Sequence, residues 1–195
     1  MRRLLPLLLC AGAACAAADT PGPTYAGEQL QFPADYREWI WLTSGFDMSY
    51  NPSLLSMGHH MFDNVFVDRA AWAAFQKTGA WPDKAMLLIE GRGAVGKASI
   101  NRAGQHQGEV MVWELHVKDE ARFPDKWGFF ATGEAGKPME RIPSSAECYS
   151  CHRDHGAVDT TFVQFYPTML PLAKAMGTLS ASYLQDVAQE KPAAQ

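Results

Sequence analysis

The chain has 195 residues, enough for one domain with extensions, and a composition of 47% apolar and 19% charged residues that excludes global disorder. Residues 1–18 hold two arginines and no acid, so the remainder carries 15 basic against 21 acidic residues, a charge of −6. That balance gives no basic surface for nucleic acid or an anionic membrane.

Arg2-Arg3 opens the chain, an apolar run follows over Leu4–Leu9, and small residues continue to Ala16-Ala17-Ala18 before Asp19. This is the pattern of a cleaved export signal over residues 1–18. The apolar run is far shorter than the ~20 residues a membrane-spanning helix needs, so no membrane span is expected after cleavage. The expected location is periplasmic or secreted. Cys10 and Cys15 leave with the signal, and a single close pair, Cys148 and Cys151, is no disulfide scaffold.

Residues 19–31 form a Pro/Gly-rich, loose lead-in, residues 32–178 the folded domain, and residues 179–195 a C-terminal tail. Tyr36–Thr43 is a strand or a short helix. His59–Val67 reads as a strand. Asp68 caps a helix over Ala70–Lys77, with Trp72 and Phe75 on one face and Gly79 as the stop. Trp81-Pro82-Asp83 turns into a buried strand, Ala85–Glu90. The segment from Gly91 to Gly108 holds five glycines and serves as a hairpin-like connection or a flexible loop. Val110–Lys118 alternates best, with Met111, Trp113, Leu115 and Val117 on one face, and Trp127–Thr132 is a further strand. Asp159–Phe165 begins a helix that Pro167 and Pro171 break or kink. Antiparallel strands with helices around them make the class α+β, mainly an antiparallel β-sheet with peripheral helices.

The chemistry concentrates in Cys148-Tyr149-Ser150-Cys151-His152. Two thiols at this spacing match the two vinyl groups of haem, and the adjoining histidine is carried beneath the iron as its proximal ligand. Attachment of c-type haem outside the cytoplasm agrees with export. A zinc set of Cys148, Cys151, His152 and His155 is the rival, but neighbouring ligands within eight residues crowd a tetrahedron. A thioredoxin-like redox pair would need a βαβ setting that the flanks lack. For the iron's other side, Met169 and Met176 follow the stretch, and His59, His60, His106, His116 and His155 are further candidates. None is singled out, so an open or weakly filled position that binds small molecules is at least as well supported.

The run CYSCHRDHGAVDTTFVQFYP, with FPADYREW, FDNVFV and WPD, resembles the cytochrome P-460 family, which includes the beta-type cytochromes c-prime. The resemblance extends from Phe32 to Met169. It implies a predominantly antiparallel β fold with peripheral helices, a homodimer, and one covalently attached haem c per chain, held by Cys148 and Cys151 with His152 as proximal ligand. Enzymatic members oxidise hydroxylamine and carry a lysine bond to the haem, whereas the beta-type cytochromes c-prime bind nitric oxide beneath a phenylalanine cap. The lysine is expected on the strand after the W-P-D turn, but Ala85–Glu90 has none; Lys84 and Lys97 lie outside it. The stretch that would offer a distal arginine reads His60-Met61-Phe62. An apolar distal pocket would then come from Phe62, Leu88 and Phe129.

The resulting expectation is a periplasmic mono-haem cytochrome with redox activity that binds nitric oxide or a similar diatomic or N-oxide ligand and exchanges electrons with a partner protein. One alternative is a hydroxylamine-oxidising enzyme, for which Glu90, Glu140 and Glu147 are candidate bases. The other is a six-coordinate electron carrier.

Overall fold

A computed structural model describes residues 22–48 and 60–189. The expected export signal, residues 1–18, and His59 lie outside the described residues. Near the start, β1 (Tyr25–Ala26) and β2 (Gln29–Leu30) form a small antiparallel ribbon that turns at Gly27, whose φ of +64° suits glycine. Leu30 is buried and bridges to Met139, so the ribbon is sewn to the main body.

The main body is a six-stranded antiparallel meander: β3 (Ile40–Phe46), β4 (Met61–Val67), β5 (Met86–Gly96), β6 (Gln105–Lys118), β7 (Trp127–Thr132) and β8 (Glu140–Arg141), each paired with the next in sequence. Among the described residues there are also four α-helices: α1 (Arg69–Thr78), α2 (Glu147–His155), α3 (Leu170–Met176) and α4 (Ala181–Gln189). The fold is α+β, as the composition of the segments implies.

Alternation along the strands assigns each side chain to one of two cores. Met86 and Leu88 of β5, with Trp113, Leu115 and Val117 of β6 and Phe130 of β7, pack against Leu30, Tyr36, Trp39 and Met139. The next residue in each strand faces the other way. Leu87, Val65 and Trp127 meet Ala71 and Phe75 of α1, Ala173 of α3 and the segment Ala157–Tyr166. The second face carries the helices and the cavity described below.

Several elements form for reasons visible in their residues. Asp68 Oδ1 accepts the Ala71 amide at 2.8 Å, its Oδ2 accepts Met86 N–H at 2.8 Å, and Gly79 ends α1 at φ +69°. Tyr36–Thr43 divides into a short 3-10 turn, Tyr36–Glu38, and the start of β3. The glycine-rich connection is mostly strand, since β5 runs on to Gly96 and β6 begins at Gln105. A register shift beside Arg92 leaves Met111 half exposed while Trp113, Leu115 and Val117 are buried.

Two segments differ from expectation. Asp159–Phe165 is a tight turn followed by the single 3-10 turn Val163–Phe165. Pro171 begins a helix instead of breaking one, because it stands in the first turn of α3, where a missing amide hydrogen costs nothing. Within residues 179–195, α4 is anchored: Ser180 Oγ donates to Gly156 O at 2.6 Å and accepts the Tyr183 amide at 3.2 Å.

Candidate functional site

The cysteines and His152 lie on α2. Both thiols are free and partly buried. His152 Nδ1 sits 2.7 Å from the Thr160 carbonyl oxygen, which can only accept, so Nδ1 carries the hydrogen and Nε2 keeps a lone pair. Rings enclose the imidazole: Phe162 at 4.1 Å between centroids, Phe129 at 4.7 Å and His116 at 5.0 Å. Burial pulls the His152 pKa down to about 4, and the bond to Thr160 opposes this only in part. At neutral pH His152 is therefore an uncharged donor, the form that binds a metal. Burial, followed by the charges of Glu147 and Asp154 and the neighbouring Cys148, pushes the Cys151 thiol up, which is the opposite of a reactive thiolate.

The acceptor carbonyl belongs to a turn from Val158 to Thr161, closed by Thr161 N–H to Val158 O at 2.9 Å. Gly156 lets the chain pass close to α2. A Cβ there would stand 2.6 Å from His152 O and 2.9 Å from Thr161 N, a clash no side chain tolerates.

Two adjoining cavities lie between α2, the segment containing Phe162 and Tyr166, and the sheet. The smaller, about 100 Å³, is walled by Cys148, His152, Phe129, Ile142, Leu87 and Thr161. The larger, about 280 Å³, is walled by Met48, Met61, Asp63, Val112, Phe165 and Gly45. They share Val65, Ile89, Glu114, Phe162 and Tyr166. Gly91 keeps part of this floor low, because a Cβ would come 2.8 Å from Val112 Cγ1 and 3.1 Å from Met61 Sδ.

Of the expected distal residues, Phe129 lines the smaller cavity, beside His152. Phe62 and Leu88 are on the opposite face of the sheet. Phe62 packs on Phe46 with centroids 4.8 Å apart, and Leu88 is fully buried in the other core. The reason is the two-residue period, which sends Met61 and Asp63, Leu87 and Ile89 to the cavity instead. Neither Lys84, which binds Asp119, nor exposed Lys97 lines either cavity.

The candidate bases resolve in a similar way. Glu90 is on the closed face, Glu140 is exposed on β8 and Glu147 opens α2. The carboxylates that reach the cavity are Asp63 and Glu114. Burial, reinforced by the Glu114 charge, raises Asp63 to about 6, and burial raises Glu114 as well. Reading β4 and β6 by strict alternation, with register set by Val65 and Trp113, would have found both.

The histidines also separate. His155 is half exposed and bonds Asp186 of α4 at 2.6 Å, while His152 is buried beneath aromatic rings, so the two do not converge as zinc ligands would. His60 bonds Asp47 at 2.6 Å, and His106 is exposed. His116 stacks on Phe129 at 4.0 Å and belongs to the wall around His152. Met169 is fully buried in the core beneath α1 and α3, and Met176 is exposed.

These residues fit a haem. Two free thiols three residues apart on one helix, a neutral imidazole with its Nε2 available, and an adjoining mostly apolar cavity would supply the attachment, the ligand and the pocket. A family model described as Cytochrome P460 matches residues 33–163. No curated protein matches the chain. Among the described residues, no helix is long and apolar enough to cross a membrane.

Proposed function

The chain belongs to the cytochrome P460 family and is a haem-binding cytochrome, and from that premise we propose an exported, mono-haem c-type cytochrome that binds a small neutral ligand such as nitric oxide. In this reading Cys148 and Cys151 hold the haem covalently and His152 is its proximal ligand. The bound haem would supply a coordination position for the ligand and one-electron redox chemistry. The observation that carries the reading is the His152–Thr160 hydrogen bond, which presents a neutral Nε2 donor beside an apolar cavity.

The protein's own residues set the selectivity. Ile89, Val65, Val112 and Phe162 offer no group to stabilise an anion, so the wall favours uncharged guests. Asp63 and Glu114 make an anion still less welcome once ionised. No lysine lines either cavity among the described residues, which favours ligand binding over the lysine-bonded enzymatic form. The enzymatic alternative, hydroxylamine oxidation, draws its support from Asp63, whose pKa of about 6 lets it exchange protons close to neutrality, and from Glu114 beside it, whose carboxyl is also raised. The electron-carrier alternative draws its support from Met48 and Met61, whose thioethers line the larger cavity.

The deciding experiment is the absorption spectrum of the haem-loaded ferrous protein before and after carbon monoxide. A shift is expected, because the coordination position is open or easily vacated. No shift would mean a protein ligand fills it and would move the assignment to electron transfer. Sustained turnover of hydroxylamine with an electron acceptor would move it to the enzyme.

A further inference from the structure

Lys118, the last residue of β6, is only 7% exposed. Its Nζ donates to the Trp81 carbonyl at 2.8 Å and to Asp159 Oδ2 at 3.2 Å, and lies 3.6 Å from the more exposed Glu120. Burying an ammonium group is costly unless its partners compensate, so these partners are the place to look for its purpose. Asp159 stands in the left-handed region at φ +52°, which an aspartate tolerates better than most residues but which still needs holding. Two residues on, Thr161 Oγ1 accepts the Trp81 indole N–H at 2.7 Å. Trp81 therefore joins both ends of this arrangement, with its carbonyl on Lys118 and its ring on Thr161.

Between Asp159 and Thr161 lies Thr160, whose carbonyl takes the His152 Nδ1–H. Its two flanking residues are thus pinned from the sheet side by a buried cation and a buried indole. We propose that Lys118, acting through Asp159, is a positioning residue for His152: it locks the turn Val158–Thr161 so that the Thr160 carbonyl stays aimed at Nδ1. The partner of the remote ring nitrogen fixes the tautomer and raises the donor strength of the other nitrogen. Lys118 then tunes the iron ligand from beyond the site. This deepens, and rests on, the assignment of His152 as the haem ligand.

The test uses the full haem-loaded chain and reads its reduction potential. Two mechanisms predict opposite signs for Lys118→Met. Loss of a positive charge alone disfavours the reduced iron and lowers the potential. Release of the Thr160 carbonyl weakens His152 as a donor and raises it. The expected result is an upward shift in Lys118→Met; Asp159→Asn, which suits the left-handed backbone equally well, loses a negative charge and rises by either route, so Lys118→Met alone carries the sign. A lowered or unmoved potential in Lys118→Met overturns the proposal. If that variant does not fold, exchange of the His152 Nδ1–H in Asp159→Asn decides: faster exchange than in wild type supports the clamp, and unchanged protection overturns it. A wild-type chain whose mass shows no attached haem would overturn both this inference and the function it rests on, whereas haem uptake with unshifted variants would overturn only this one.

Discussion

The same three strands, β4, β5 and β6, carry carboxylates on both faces, Glu90 fully buried on one and Asp63 and the more exposed Glu114 lining the cavity on the other, and the two faces treat them differently. On the closed face Glu90 is 1% exposed and surrounded by donors: Tyr36 Oη, Arg92 Nε, and Arg37 Nη2 at 2.5 Å. Burial alone would raise its pKa, but the bonds from Arg92 and Tyr36 and the charge of Arg37 outweigh it and hold Glu90 below the usual range. On the cavity face Asp63 and Glu114 are joined to no cation among the described residues, and burial raises both. A fold that neutralises one carboxylate so thoroughly could neutralise the others. Leaving them costs stability, and such costs gather where a site needs the groups.

The largest test of this contrast is Glu90→Ala. It leaves Tyr36 and two arginines without their carboxylate, but Arg37 is 54% and Arg92 22% exposed, so a loss of about 1–3 kcal/mol is expected in denaturant unfolding. Glu114→Gln should change stability at pH 7 by no more than about 1 kcal/mol, and in the stabilising direction. Equal losses for the two would erase the distinction between the faces.

Gly91→Val sharpens the contrast from the cavity side. Its side chain would enter the space bounded by Val112 and Met61. Carbon monoxide affinity of the ferrous protein should weaken about tenfold or more, equivalent to about 1.4 kcal/mol, with haem attachment intact. Unchanged affinity would mean that the larger cavity is not where the ligand sits.

The smallest effect concerns Asp63. Its pKa, raised to about 6 in the folded state from an ordinary 3.8, means that it is protonated below that pH and charged above it. Azide binding to the ferric protein should therefore fall as pH rises through about 6, carbon monoxide binding should stay level, and Asp63→Asn should abolish the azide dependence. The linkage to stability has the same window: the folded state holds the extra proton, so this contribution is present at pH 4 and is lost as pH rises through 6. Urea unfolding of wild type and Asp63→Asn at pH 4 and 8 should show the two chains drawing apart in favour of the variant at the higher pH.

Much of the scaffold was legible because its signals are local. Asp68, Gly79 and the alternation through Trp113, Leu115 and Val117 each act within a few residues, and the cysteine–histidine stretch concentrates its donors within five. The cavity wall was harder. A one-residue difference separates Phe62 from Asp63 and Leu88 from Ile89, and hydrophobicity does not choose between them because both faces of the sheet are buried. A polar residue on a buried strand was the overlooked sign. Nothing near Cys148 or His152 in sequence announces Lys118, whose proposed role depends on β6 ending beside a turn 41 residues later.

The meander has a consequence for the order in which the protein is assembled. Every strand of the main sheet pairs with its neighbour in sequence, so each pairing closes a comparatively short loop and contact order stays low for a β-rich fold. The residues proposed to receive the haem, on α2, come only after the last strand. The sheet can therefore be completed before α2 and the turn Val158–Thr161 settle over it, leaving the two thiols accessible on a preformed floor during the interval in which an attachment reaction would have to reach them.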